Sequence, residues 1–381
     1  MSTSALSHGS AAVERLADQV KQANADRRPL RVAGAKTWTH AAPVDASVEL
    51  PTAHLDGIIE YVPGDLTITV GAGMTLSALE RETAKHGQWL TLDPYGSPDG
   101  TIGASVSTAS AGPLATGFGT PRDLLLGMEA VTGTGSIVRA GGRVVKNVAG
   151  FDLTRLFTGS RGTIGALTEV SLRLRARPAA DETLAMVLAS KPAALRDAIT
   201  AIRSWPATPL AAELLDAGAA TALGLSSSRV LLLRLGGNAR SVAAQKRRAG
   251  AVGKTADLDV GIWSKVRALE LDAEVTFRVA DMPSAFADRW DDVVSHFGEA
   301  RFLGSPLRGQ VRCMLPQVDR QTVASFRSRV KSATVVFDSL PTPALWNALT
   351  SLPDEDTLHA RIRDAFDPAG IMNPGAMRLA R

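Results

Sequence analysis

Residues 145–175 read VKNVAGFDLTRLFTGSRGTIGALTEVSLRLR. Six glycines and threonines fall between Gly150 and Thr163, and the chain then passes directly into an apolar–polar alternation ending at Arg175. The alternation predicts a half-buried strand. The small residues before it permit two readings. Either they form tight turns at a sheet edge, or the backbone lies against something that is not protein, since glycine removes the side chain that would block a close approach.

The surrounding composition limits what such a chain can be. At 381 residues it exceeds one ordinary core, which predicts two domains. A hydrophobic content of 45% supports packed interiors and argues against wholesale disorder. The formal charge is only +4, with bases spread among acids, so nucleic-acid binding is not expected. The tight basic run Lys246–Arg248, in QKRRA, reads as a solvated helix face. Cys313 is the single cysteine, so neither an internal disulfide nor a four-thiolate iron–sulfur cluster can be built from this chain alone. No signal peptide pattern opens the sequence, and no apolar run approaches the roughly 18 residues of a membrane span. The expectation is a cytoplasmic protein with no direct membrane span, or one peripheral to the inner membrane through partners.

Two rhythms divide the chain. Residues 11–25 place Val13, Leu16, Ala17, Val20 and Ala23 at helical spacing. Short strands follow at LRVAG, SVEL, GIIEYV, LTITVGAG and QWLTL, with a helix over 76–86, and TEVSLRLRARP closes this part near Pro178. Beyond it, the strands AELLD, VLLLRLGG, TFRVA, QVRCML and TVVFD alternate with helices over 241–251, 284–296 and 319–330. This predicts an α+β or α/β layer whose sheet is covered on one face. A helix over 354–365 precedes the turn-forming DPAGIMNPGAM.

Three glycine-rich elements are candidates for holding a phosphate. The first, Val32–Thr37, ends in GAKT, but a P-loop needs glycine where Ala35 and Leu30 stand. Gly71 and Gly73 follow a strand yet lack the third glycine of a dinucleotide fingerprint. What remains is a small-residue turn whose successive N–H groups can form a concavity for an anion, or an ordinary strand-to-loop turn. The second element, DPYGSPDGTIGASVSTASAGP over 93–113, is too poor in large side chains to build a core. It suits either a flat ligand or a loop packed beneath other elements. The third is the stretch 145–175.

Taken together, LRVAGAKT, DPYGSPDGTIGASVSTASAGP, GGRVVKNVAGFDLTRLFTGSRGTIGALTEVSLRLRARP and FDPAGIMNPGAM resemble one family. It is the FAD-binding domain of the vanillyl-alcohol-oxidase (PCMH) type, and more closely that of the FAD-binding glycolate oxidase subunits. The resemblance implies an α+β fold. A PCMH-type FAD-binding domain would span 11–178, and a second α/β sheet domain, a ferredoxin-like cap for the substrate, 179–365. A C-terminal segment, 366–381, would pack back on the FAD site. It further implies that Ala33, Gly34, Ala35, Lys36 and Thr37 present N–H groups to the pyrophosphate. Gly100, Thr101, Gly103 and Ser107 would border the pyrophosphate and the flavin. Asn147, Gly150, Asp152, Gly162 and Ile164 would line the adenosine and neighbouring part, and Asn373 would return to the flavin side.

Departures from the family pattern shape the rest. Many relatives attach FAD through a histidine near the position of Lys36. Here His40 comes several residues too late, so FAD is expected to be non-covalent. The six histidines, His8, His40, His54, His86, His296 and His359, show no paired ligand spacing, so no metal is expected. Oxidising a 2-hydroxy acid needs a base, a cation for the carboxylate and a hydride acceptor. Arg308 and Arg312 in LRGQVRCML could grip a carboxylate, but alternating strand charges ordinarily face solvent, and no catalytic base emerges. The resemblance implies an FAD-binding subunit that oxidises glycolate or a similar 2-hydroxy acid. Its partners would be a related catalytic FAD subunit and an iron–sulfur subunit. The alternatives are a stand-alone FAD oxidase or dehydrogenase of another hydroxylated substrate, and a non-catalytic assembly subunit.

Overall fold

A computed structural model describes residues 3–37, 44, 46, 48–142, 152–189, 191–297, 300–329, 333–349 and 357–377. The periodic stretch 11–25 is the C-terminal part of a longer helix, Thr3–Ala25. Its apolar face is fully used. Val13, Leu16, Ala17, Val20 and Ala23 are buried against Leu30, Leu50, Leu55, Ile371 and Met372. The strands Leu30–Ala33 and Val48–Pro51 pair in parallel, and Met372 adds a parallel bridge to Leu30 from the far end of the chain.

Beside this pair lies a five-stranded antiparallel sheet. Its spatial order is Ile58–Val62, Thr67–Gly71, Gly165–Arg173, Leu125–Thr132 and Ile137–Gly141. The alternation at the end of the opening stretch is its central strand, Gly165–Arg173. The hairpin Leu125–Thr132/Ile137–Gly141 is not legible in the sequence. Leu125–Thr132 is buried at every position but Leu126, which erases the two-residue alternation. The strand expected over QWLTL shrinks to Gln88–Trp89, which pairs with Arg175–Ala176.

A second sheet has eight strands, all paired antiparallel. Its order is Thr255–Leu258, Ala180–Val187, Val230–Gly237, Ala211–Leu215, Arg301–Ser305, Gln310–Leu315, Val275–Ala280 and Thr334–Ser339. The expectation of cover on one face is corrected. Helices Pro192–Arg203, Ala239–Val252, Phe286–His296 and Arg320–Arg329 bury one face, which takes Leu231, Leu233 and Leu235. The shorter helices Ala217–Ala222 and Ile262–Ala268, with Tyr95 from the first part of the chain, bury the other, which takes Val230 and Leu232. Burial on both sides explains why VLLLRLGG is nearly continuously apolar. The basic run is only partly a solvent face. Gln245 is buried, and Lys246 ion-pairs with Glu182 at 2.6 Å and Asp257 at 2.7 Å.

Candidate functional site

A cavity opens where the turn after the first strand, the loop 94–101, the C-terminal segment and the eight-stranded sheet meet. The sequence accounts for its bare wall. Thr101 caps the short helix Ile102–Ser107 by accepting from the Ala104 N–H at 3.2 Å. The turn Ala33–Thr37 rests on that threonine so closely that a Cβ added at Gly34 would sit 2.5 Å from Thr101 Oγ1. A Cβ at Gly100 would meet the Ser97 carbonyl at 3.2 Å. Lys36 adopts a left-handed backbone, φ 55°, a conformation found in turns whose successive amides form a concavity for an anion. Its side chain leaves to Glu49, 2.7 Å away. Among the described residues no acceptor takes the N–H of Gly34, Ala35, Lys36 or Thr37.

Asn373 locks this turn to the rest of the site. Its Oδ1 accepts from the Val32 N–H at 2.7 Å, its Nδ2 donates to the Arg161 carbonyl at 2.7 Å, and its N–H donates to the Leu30 carbonyl at 3.0 Å. Gly162, φ 71°, has to be glycine for this packing, because a Cβ there would lie 2.6 Å from Asn373 Nδ2. Asp367 holds the returning segment by accepting from the N–H groups of Ile371 and Met372 at 3.1 and 2.9 Å.

The opposite wall is charged and buried. Arg161 reaches across to donate to the Phe337 carbonyl at 3.0 Å, with Asp338 at 3.6 Å and the Trp346 ring 5.4 Å below. Arg278 grips Asp338 with two bonds of 2.8 and 2.9 Å. Arg312 donates to Glu270 at 2.6 Å and reaches Asp338 at 3.3 Å. Burial pushes Asp338 up, but Arg278, Arg312 and Arg161 hold its carboxyl below the usual range. Burial also raises Glu270 against the pull of Arg312. Three guanidiniums thus share two carboxyls, which leaves a surplus of positive charge beside the cavity. Arg161, Glu270 and Tyr95 all line it.

Tyr95 lies under Arg312, ring centroid 4.2 Å from the guanidinium carbon, and burial, with the Glu213 carboxyl nearby, pushes its hydroxyl well up. Ser305 donates to Glu213 at 2.6 Å, yet burial pushes that carboxyl up to about 8. The expectation that Arg308 and Arg312 face solvent is corrected. Arg312 is 4% exposed, and Arg308 Nη1 is buried without a partner among the described residues. The strand Gln310–Leu315 is covered on both faces, so its charges turn inward to find counter-charges.

The family-implied site residues separate into groups. Ala33, Gly34, Ala35, Lys36, Thr37, Gly100, Thr101, Ser107 and Asn373 line one cavity. Gly103 turns the other way, where a Cβ would meet Ala72 at 2.7 Å, so its smallness serves helix packing. Ile164 is buried in the core beside Phe157. Gly162 supports Asn373 from behind the cavity wall. Asp152 caps the helix Leu153–Phe157 from an exposed position and does not line the cavity. Asn147 and Gly150 lie outside the described residues, as does His40. Arg161, Tyr95, Glu270, Arg278 and Asp338 were not singled out in the sequence. Arg161 sits inside the opening motif, but nothing in LELD or VVFD marks Glu270 or Asp338, whose partners are far apart in the chain.

A bare backbone wall with free N–H groups, facing a cationic wall, fits an elongated, flat, anionic ligand. The Thr276 hydroxyl, buried at the cavity, also lacks a partner among the described residues. Comparison with known proteins agrees with this reading. Residues 11–141 match the family described as FAD binding domain. The chain is 28% identical to glycolate oxidase subunit GlcE of Escherichia coli, over 96% of this chain and 97% of that protein. It is 31% identical to glycolate oxidase subunit GlcD of Bacillus subtilis, over 60% of this chain and 50% of that one. Among solved structures, p-cresol methylhydroxylase superposes with a TM-score of 0.73 at 15% identity, covering 96% of this chain and 87% of that one. An alkyldihydroxyacetonephosphate synthase does so at 0.67, also at 15% identity, covering 95% and 75%. Residues 11–141 match an FAD binding domain, and the likeness to the solved structures shows that the chain has the PCMH-type fold. Its resemblance to the glycolate oxidase subunit runs along almost its whole length. Among the described residues no helix is long and apolar enough to cross a membrane, and no group of three or more His, Cys, Asp or Glu converges as metal ligands would.

Proposed function

We propose that this chain is the FAD-binding subunit of a glycolate oxidase-type complex that oxidises glycolate or a similar 2-hydroxy acid and passes electrons to an iron–sulfur partner. The carrying observation is the full-length likeness to a glycolate oxidase subunit, joined to a cavity that has a bare cradle on one side and surplus guanidinium on the other. A related catalytic FAD subunit fits the second match, itself a glycolate oxidase subunit. The working units are 11–178, 179–365 and 366–381. Strands up to Ala176 pair among themselves and strands from Ala180 onward do the same, which supports the division at 178.

The turn Ala33–Thr37 would hold the pyrophosphate, with Gly100, Thr101, Ser107 and Asn373 along the rest of FAD. The turn contains no histidine, which supports dissociable cofactor. Bound FAD supplies a two-electron hydride acceptor. Arg161 binds the substrate carboxylate, because it is the guanidinium of the cluster least committed to Asp338, at 3.6 Å against 2.8 Å for Arg278. Glu270 takes the hydroxyl proton. Its Oε2 is held by Arg312, while its Oε1 turns towards Gly96 at the cavity, and burial has raised its affinity for a proton.

The test mixes the purified full-length chain anaerobically with glycolate, D-lactate and ethanol and follows the flavin absorbance. Bleaching by the two acids and not by the neutral alcohol supports the reading. Absorbance that stays oxidised with both acids, alone and after addition of the partner subunits, would overturn it.

A further inference from the structure

A second cavity, about 370 Å³, lies behind the loop that separates it from the flavin site. Asp93 and Pro98 face it, whereas Tyr95, Gly96 and Ser97 between them face the first cavity. Two indoles, Trp89 and Trp263, contribute to its lining, and four guanidiniums stand around them, from Arg81, Arg177, Arg234 and Arg267. Only two acidic residues, Glu80 and Asp93, share that wall.

The counter-charges do not cover the bases. Arg177 pairs with Glu80, and Arg234 is held by Asp181 at 2.6 and 2.9 Å. Both of these guanidiniums lie over the Trp89 ring, at 5.8 and 5.0 Å. Among the described residues neither Arg81 nor Arg267 forms an ion pair within 4.0 Å. Asp93 offers little opposition. Burial pushes it up to about 7 despite Arg267, the Leu114 N–H, Arg234 and Arg308, so near neutrality it is partly uncharged. An independent feature marks the same place. Trp89 is 4% exposed, and its indole N–H is buried with no acceptor among the described residues. A buried donor without a partner destabilises the fold, and a ligand oxygen can supply the missing acceptor. Trp263, by contrast, donates to Thr183 at 2.8 Å.

We infer that this second cavity binds a small oxyanion, a carboxylate or phosphate, with Arg81 and Arg267 as its charge partners and the Trp89 N–H as a donor. Any apolar body of the ligand would lie against the two indoles. The inference does not depend on the hydroxy acid reading of the first cavity.

Malonate and inorganic phosphate, titrated separately into the flavin-loaded full-length chain at low ionic strength, test this by intrinsic tryptophan fluorescence. A saturable change is expected with at least one of them. Saturation by malonate alone assigns a carboxylate site, by phosphate alone a phosphate site, and by both a general oxyanion site. Arg81→Gln, on an exposed helix face, and Arg267→Gln should each weaken binding roughly tenfold while the visible flavin spectrum stays unchanged. Should Arg267→Gln fail to fold, Arg81→Gln carries the test. A response that never saturates with either anion, or saturation unaffected by Arg81→Gln, would overturn the inference.

Discussion

Asn373 and Arg161 are 212 positions apart, yet the Asn373 amide donates to the Arg161 carbonyl at 2.7 Å, while its oxygen takes the Val32 N–H at the same distance. One side chain from the C-terminal segment therefore fixes both the strand end that leads into the turn proposed to cradle the cofactor and the turn that aims Arg161 at the opposite wall. Replacing it with alanine leaves a buried donor and a buried acceptor unpaired, at about 1–3 kcal/mol each. Asn373→Ala is expected to weaken FAD binding at least ~10-fold, measured by flavin fluorescence on dilution. An unchanged dissociation constant would mean that the segment only closes the fold.

Gly34 is held to glycine by Thr101. Gly34→Ala should lower FAD affinity by pushing the turn off Thr101, since a Cβ cannot stand 2.5 Å from Oγ1. Thr101→Ala removes that hydroxyl and the methyl at 3.1 Å. The double variant should therefore bind FAD better than the sum of the two single losses predicts. Strict additivity, measured over the full cycle, would contradict the contact.

Arg161 carries the carboxylate assignment. Arg161→Gln should raise KM for glycolate by about 10²-fold, the order expected for loss of a charge-assisted bond of ~3 kcal/mol, with a smaller change in kcat. An equal fall in kcat at constant KM would assign it to the transition state or to the fold instead.

Glu213 makes stability depend on pH. Its ordinary value is 4.5 and the folded protein raises it to about 8, chiefly through burial. A raised folded value means that the contribution is fully present below the unfolded value and is lost as pH rises through the folded one. The melting temperature should therefore fall between about pH 5 and 9, and Glu213→Gln should flatten that fall. Parallel profiles for the two proteins would show that the carboxyl does not carry the effect.

The legible part of the molecule is the part whose logic is local. LRVAGAKT, the 93–113 stretch and SRGT put small residues where backbone must approach a ligand or a neighbouring turn, and that shows in the sequence. The central strand Gly165–Arg173 shows as alternation because its buried and half-buried positions alternate over its second half. Leu125–Thr132 does not, being buried almost throughout. The charged wall was illegible for a different reason. Arg161, Arg278, Arg312, Glu270 and Asp338 come from five separate segments, and each looks like an ordinary surface charge until the eight-stranded sheet is covered on both faces. Gly103 and Ile164 show the converse. Both sit in family-like motifs, but their side-chain positions serve helix packing and the core.

The central claim is that the cavity between Ala33–Thr37 and Arg161 is an FAD cradle, and it is tested most directly by the visible spectrum of the purified full-length chain, with the flavin then released by acid. The account predicts a flavin spectrum, release of about one equivalent of FAD per chain without proteolysis, and loss of most of it in Asn373→Ala. A chain that purifies colourless and takes up no FAD on titration would contradict it.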